Sequence, residues 1–287
     1  MKRFDYFEPP TLDDAIELMQ QANGRASFMA GGTDLLVEIK EHIRLPDTVI
    51  NIKKIPNLDY LTYDDVTGLK FGALTTMRAI EISMLVQEKY AGLAQAAREV
   101  GSIQIRNRAT VAGNICRASP SADTLPSLIA DGAAVKLYGP NGERTILMEA
   151  FFTGPGKTVM AEDEVLIEIA VPPPPPHTGK VYIKHGRRLA MELATVGVAV
   201  ALTLEDNICK QVRLVLGAVA PTPIRVPKAE AFLQGKIVTD EAILAAAKLT
   251  QETARPISDV RSSAAYRSEM VYVLTQRALK NAVERAS

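Results

Sequence analysis

Residues Gly101–Pro126 read GSIQIRNRATVAGNICRASPSADTLP, and the rest of the chain is best read outward from them. The stretch holds Arg106, Arg108 and Arg117 together with Thr110, Gly113, Asn114, Ser119, Ser121 and Asp123, with few bulky apolar side chains between them. A core strand alternates apolar residues and an amphipathic helix repeats them at helical spacing; this segment does neither. Small residues let a ligand lie close to the main chain, whose N–H groups then become donors. Arginines beside it favour an anion. Asp123, a lone carboxylate among small polar residues, suits a ribose hydroxyl or a ring N–H. A surface loop is the bland alternative, but long irregular loops are uncommon in compact domains and are usually functional.

A second segment points the same way. Ser27-Phe28-Met29-Ala30 is a short apolar run, followed by Gly31-Gly32-Thr33 and then DLLVEIKEH. This predicts a strand, a glycine turn and a helix starting near Thr33 or Asp34, with Leu35, Leu36 and Ile39 on one face. A glycine turn that feeds a helix N-terminus is an anion site, because unpaired N–H groups and the helix dipole both face the ligand. Asp34 is expected to serve the helix terminus and to point away from that ligand.

Composition narrows the function classes. The 33 basic and 33 acidic residues balance, so no global field favours nucleic acid or an anionic membrane. The arginines near Gly113 are therefore a local device. No stretch approaches the ~20 apolar residues of a membrane span, and MKRFDYFEPP lacks the apolar region of a secretory signal. A cytoplasmic location is the expectation. Cys116 and Cys209 are the two cysteines, too few for a disulfide framework or for the four ligands of an ordinary iron–sulfur cluster. His42, His177 and His185 lack metal-ligand spacing, so no metal site and no catalytic acid–base pair or nucleophile triad is expected in this chain.

Three regions follow along the sequence. Residues 1–55 read as strand, helix, strand, helix, strand, with Thr11 capping TLDDAIELMQQA and Asp14 in the reciprocal capping position. Residues 56–172 form the second region, in which LKFGAL and AAVKLYG read as strands and AIEISMLVQEKY and LAQAAREVG as helices. The prolines Pro172–Pro176 are a stiff extended connector. Residues 177–287 form the third region, with strands in VYIKHGRR, VGVAVALTLE and QVRLVLGAVA and helices in EAILAAAKLTQET and EMVYVLTQRALKNAVERA. Strands and helices mixed without regular alternation predict an α+β fold. Gly156-Lys157-Thr158 resembles the end of a P-loop, but Phe151 stands where that motif needs its first glycine and the following residues read as a strand. No G-x-G-x-x-G follows a strand, so a Rossmann site is unsupported.

Together these motifs resemble the FAD-binding medium subunit of the molybdenum hydroxylases, the family of xanthine dehydrogenase and aerobic carbon monoxide dehydrogenase. The matching runs are A-G-G-T-D at Ala30–Asp34, R-N-R-A-T-V-A-G-N at Arg106–Asn114 and A-S-P-S-A-D at Ala118–Asp123. They continue through F-F-T-G-P-G-K-T from Phe151, V-L-I-E-I-A-V-P from Val165, Y-I-K-H-G-R-R from Tyr182 and S-S-A-A-Y-R from Ser262. Ala112 stands where many members carry a second glycine. The resemblance implies a two-subdomain FAD-binding domain of the vanillyl-alcohol-oxidase type, then a C-terminal α+β domain of the carbon monoxide dehydrogenase flavoprotein type. It implies that Met29, Ala30, Gly31, Gly32, Thr33, Asp34 and Leu35 form a first flavin loop around the diphosphate. Thr110, Gly113 and Asn114 would complete the cradle, Asp123 would contact the adenosine ribose or nearby polar groups, Leu166 would be an apolar contact, and Lys184 would lie near the flavin ring carbonyls with Tyr182 on the same strand face. It further implies partners: a small subunit with [2Fe–2S] clusters and a large subunit with a molybdopterin cofactor, in a dimer of heterotrimers. FAD would pass electrons to NAD, a quinone, a soluble carrier or oxygen. A stand-alone flavin oxidoreductase of this fold and a non-catalytic assembly subunit without FAD are the alternatives.

Overall fold

In the computed structural model, which describes residues 2–287, three larger sheets are laid along the chain in order, with a fourth of two strands. The first is parallel. Its strands β1 (Asp5–Phe7), β2 (Ala26–Met29) and β3 (Thr48–Asn51) lie in the order β1-β3-β2. Two helices make the crossovers, α1 (Leu12–Gln21) and α2 (Leu35–Lys40). Thr11 caps α1 as expected, its Oγ1 accepting from Asp14 N at 3.1 Å. Asp14 does not reach back to the Thr11 backbone; its carboxylate accepts from the Thr11 hydroxyl at 2.6 Å. Ala15, Ile16 and Met19 bury the inner face of α1.

The second sheet is antiparallel and ordered β4-β5-β10-β6-β7. Its strands are β4 (Leu61–Asp64), β5 (Gly68–Gly72), β6 (Ala134–Gly139), β7 (Gly142–Leu147) and β10 (Val165–Val171). A small hairpin, β8 (Phe152–Gly154) with β9 (Lys157–Thr158), holds the P-loop look-alike, and the chain continues into β10, not a helix. Helices fill the long connection from β5 to β6. AIEISMLVQEKY, expected as one helix, is two: α3 (Met77–Ile82) and α4 (Met84–Lys89). Ser83 breaks them because its backbone is extended and its hydroxyl caps the second. α5 (Ala91–Arg98) is buried along Leu93, Ala94, Ala96 and Ala97.

Gly101–Pro126 is not an irregular loop. It holds the short helices α6 (Ile103–Arg106) and α7 (Val111–Arg117) and the start of α8 (Thr124–Ala130). Ser102 and Thr110 cap the first two. Every residue of α8 is buried, so it carries no polar face to betray it in the sequence.

The third sheet, β11 (Thr178–His185), β12 (Val196–Glu205), β13 (Ile208–Gly217) and β14 (Ile224–Arg225), is antiparallel in that order. α9 (Pro227–Leu233), α10 (Asp240–Thr253) and α11 (Ala264–Ala286) complete the fold. Alternation along β11 sends Val181 and Ile183 into the core under α10 and α11. Tyr182 goes the other way, into the core shared with the first two sheets, which also includes Ala199 and Val215. This sheet is covered on both faces, which is why its strands read as continuous apolar runs. Gly179 permits the approach of α11: a Cβ there would lie 1.8 Å from the Ala282 carbonyl oxygen. The proline connector runs between β10 and β11, and the Tyr90 hydroxyl donates to Pro172 O at 2.9 Å.

Candidate functional site

The first loop leaves β2 at Met29 and enters α2 at Leu35. Its two glycines are required for different reasons. Gly32 sits at φ +74°, where an L side chain is strained. Gly31 has room for no side chain, because a Cβ would lie 2.1 Å from Arg108 O and 3.0 Å from Ala109 Cα. The first loop thus packs backbone to backbone on the second. Lys53 Nζ donates to Ala30 O at 3.0 Å and pins the turn. From Gly31 to Leu35 the main-chain N–H groups have no protein acceptor among the described residues. Such a run of free donors at a helix entry is a concave anion site.

Helix α2 differs from expectation in two respects. Leu36 is 42% exposed, and Glu38 takes the buried position beside Leu35 and Ile39. Asp34 makes no side-chain cap bond; it lines the cleft instead of pointing away from it. Crowding by surrounding protein pushes its carboxyl pKa upward, against the pull of Arg117.

The second loop is held just as firmly. Met77 N donates to Ala109 O at 2.8 Å and Val111 N to Thr75 O at 3.2 Å. Thr110 Oγ1 accepts from Gly113 N at 3.0 Å as the cap of α7. Asn114 Oδ1 accepts from Thr124 Oγ1 at 2.7 Å, tying α7 to α8. A Cβ on Gly113 would touch only that cap oxygen and would otherwise enter the cleft. Gly113, not Gly31, is therefore the glycine that leaves space for a ligand.

Two of the three arginines are held by carboxylates, and Arg108 does not line the cleft. Arg106 is bound by Glu81 through Nε at 2.8 Å and Nη2 at 3.3 Å. Arg117 lies 2.9 Å from Glu38 Oε1, whose other oxygen is 3.3 Å from Arg44. These acidic partners are remote in sequence and neutralise much of the local charge. The anion capacity of the site comes from the backbone.

The cleft has two lobes, of about 510 and 610 Å³. They share Phe28, Ala30, Arg44, Gly113 and Cys116, so the glycine loops form a waist between them. The first lobe is walled by Met29, Thr33, Thr110, Asn114 and Asp123, and by Met191–Leu193 from the third sheet's side. Leu166 and Met160 wall the second lobe. An elongated dinucleotide with a diphosphate at its middle fits this shape and these donors. Arg44 and Met191–Leu193 belong to the cleft without any sequence signal that singled them out, whereas Cys116 lies within the Gly101–Pro126 stretch.

Asp123, Tyr182 and Lys184 come together in one hydrogen-bonded cluster, and of the three only Asp123 lines the cleft. Lys184 Nζ lies 2.9 Å from Asp123 Oδ2 and donates to Glu99 O at 3.1 Å. The Tyr182 hydroxyl donates to the other Asp123 oxygen at 2.8 Å. The lysine side chain is 6% exposed and stands behind Asp123, neither solvated nor on the cleft wall. Burial pushes the Asp123 carboxyl up to about 6, against the pull of Lys184 and Tyr182. Both oxygens are engaged, so Asp123 anchors β11 to the start of α8. The exposed Arg188 pairs at 2.9 Å with Glu192, whose side chain is buried at the cleft wall.

Comparison with known proteins agrees with this geometry. Residues 2–174 match the family described as the FAD binding domain in molybdopterin dehydrogenase. Residues 181–282 match that described as the CO dehydrogenase flavoprotein C-terminal domain. The carbon monoxide dehydrogenase medium chain of Hydrogenophaga pseudoflava is 35% identical over 99% of both chains. The xanthine dehydrogenase FAD-binding subunit of Escherichia coli O157:H7 is 32% identical over 98% of this chain and 96% of its own. A solved carbon monoxide dehydrogenase from Hydrogenophaga pseudoflava superposes with a TM-score of 0.96, covering 100% of this chain and 99% of that one. A chain of quinoline 2-oxidoreductase from Pseudomonas putida 86, 25% identical, superposes at 0.93 over 100% of this chain and 99% of its own. The protein belongs to the FAD-binding medium subunits of the molybdenum hydroxylases, as a flavoprotein component of an oxidoreductase complex.

Proposed function

We propose that this chain is the electron-relay station of a cytoplasmic molybdenum hydroxylase, organised as a dimer of heterotrimers. FAD would lie across both lobes. The N–H groups from Gly31 to Leu35 and the cleft face of α7 at Gly113 would cradle its diphosphate, with Thr33, Thr110 and Asn114 walling the first lobe beside it. Leu166 supplies an apolar wall for one ring system. Met29, Ala30 and Asp34 line the approach. Asp123 orders the wall of the first lobe through Lys184 and Tyr182. With residues 1–55, 56–172 and 177–287 as three units, the flavin would lie between the first two and the third would close the first lobe through Met191–Leu193.

When bound, FAD supplies exchange of electrons singly or in pairs, which suits a junction between one-electron clusters and a two-electron acceptor. The chain's own residues bind, orient and shield that group. Electrons arrive from the [2Fe–2S] clusters of a small subunit. They leave to an external acceptor, which could be NAD, a quinone, a soluble carrier or oxygen. The hydroxylated substrate belongs to a molybdopterin-bearing large subunit. The observation that carries this reading is the two-lobed cleft whose first lobe, beside the waist, is lined by the unpaired backbone donors of Gly31–Leu35.

Size-exclusion chromatography of native material should show the chain eluting with a cluster-bearing small subunit and a molybdenum-bearing large one. Rapid mixing with the substrate of the complex should bleach clusters and flavin together. Turnover of an organic substrate by the isolated chain contradicts the relay.

A further inference from the structure

Lys180, Tyr182 and Lys184 share one face of β11, because alternate residues of a strand point the same way. That face carries two buried ion pairs to α8. Lys180 Nζ lies 2.8 Å from Asp131 Oδ1, and it stands 4.1 Å over the ring of the buried Tyr90. Lys184 pairs with Asp123 at the other end of the same helix. The spacings agree. Lys180 to Lys184 is about 13 Å of extended strand, and Asp123 to Asp131 is about 12 Å of helix. β11 therefore grips α8 at both ends.

What lies beyond each end differs. Asp131 leads on to β6, and neither it nor Lys180 lines either lobe of the cleft. Asp123 lines the first lobe, and its neighbour Thr124 donates to Asn114 at 2.7 Å, on α7 beside Gly113. Lys184 also donates to Glu99 O at 3.1 Å. Glu99 caps the C-terminus of α5, where free carbonyls favour a cation. The residues that follow it, Val100 and Gly101, line the first lobe. One buried ammonium group thus ties two separate stretches of the cleft wall to β11.

We propose that Lys184, assisted by Tyr182, is a positioning residue for FAD. From behind the wall it fixes Asp123 and Val100–Gly101 and, through Thr124 and Asn114, the face of α7 that meets the diphosphate. Lys180 grips the far end of α8 and has no part in binding. Removing the lysine charge leaves the Asp123 carboxylate buried without its counter-ion, so the wall at that end must rearrange. The inference rests on the flavin site proposed above.

The test compares Lys184→Met with Lys180→Met, which breaks an ion pair of the same kind on the same strand face. Three measurements are made on each: denaturant unfolding of the apo-protein, fluorescence titration with FAD, and visible circular dichroism of the bound flavin. Both variants should lose stability. Lys184→Met should also weaken FAD roughly tenfold or more and change the flavin dichroism, while Lys180→Met keeps FAD affinity within about twofold and the parent spectrum. The milder Tyr182→Phe should weaken FAD roughly threefold, and Gly179→Ala, destabilised on the same strand, should bind FAD as the parent does; this second pair decides the matter if either lysine variant fails to fold. Parent-like affinity and dichroism in Lys184→Met or in Tyr182→Phe overturn the positioning role. So does a loss of FAD in Lys180→Met or Gly179→Ala as large as in their counterparts, since the effect would then be one of stability alone. A parent protein that binds no FAD overturns the flavin site itself, and this inference with it.

Discussion

Adding one methyl group at Gly31 and one at Gly113 should separate the scaffold of the flavin site from its ligand face. At Gly31 the new Cβ would sit 2.1 Å from Arg108 O. Ordinary van der Waals contact lies near 3.5 Å, so the two loops must part by more than about 1 Å. Overpacking of this kind costs about 1–3 kcal/mol, a fall of roughly 2–10 °C in the melting temperature of a chain this size. The same displacement moves the N–H groups off the diphosphate. Hydrogen bonds to charged groups contribute about 1.5–3 kcal/mol each, so losing the alignment of one weakens FAD roughly 10- to 100-fold.

At Gly113 the methyl meets the Thr110 hydroxyl at 3.0 Å and is otherwise free of protein atoms. Weakening the cap costs about 1 kcal/mol, and alanine in a helix returns a similar amount over glycine. The melting temperature of flavin-free Gly113→Ala should therefore stay close to that of the parent, while FAD binding falls. Differential scanning fluorimetry of apo-protein and fluorescence titration with FAD read the two effects separately. Parent-like FAD affinity in Gly113→Ala would refute the placement of the diphosphate against α7. An unchanged apo melting temperature in Gly31→Ala would refute the backbone contact between the loops.

Two further outcomes follow from the cores. Gly179→Ala places a Cβ 1.8 Å from Ala282 O, and should lower the denaturant midpoint by an amount corresponding to about 1–3 kcal/mol; parent-like stability would mean that α11 does not sit on β11 at that distance. Asp123 has its pKa raised from 3.8 to about 6 in the fold, so its favourable contribution is complete below pH 3.8 and is lost as pH rises through 6. That amounts to on the order of 3 kcal/mol. The stability of the parent relative to Asp123→Asn, which has no such proton, should fall over that window; a difference independent of pH would show that the carboxyl titrates as it does in the unfolded chain.

Much of this fold can be read from local signals. The strand–glycine–helix of the first loop, the proline connector and the apolar strands of the third sheet each carry their pattern in a few adjacent residues. What is hidden depends on distant partners. Glu81 and Glu38 claim Arg106 and Arg117 from far along the sequence, so an arginine-rich anion site is the natural misreading. Nothing near Lys184 in the sequence announces that β11 brings it onto Asp123. The short helices of Gly101–Pro126 owe their existence to caps at Ser102 and Thr110 and, in α8, to complete burial, neither of which produces an apolar stripe. α9 did leave a signal, Pro227 at its start, a position proline favours. Gly31 shows the limit of motif reading: its identity is legible, but its reason is contact with Arg108 and not with a ligand.

The central claim is a dinucleotide held without a covalent bond across both lobes, and acid denaturation of the purified holoprotein tests it most directly. Chromatography of the supernatant should recover FAD at about one equivalent per chain, with a colourless pellet. Flavin retained on the denatured chain, or FMN in place of FAD, would contradict the account.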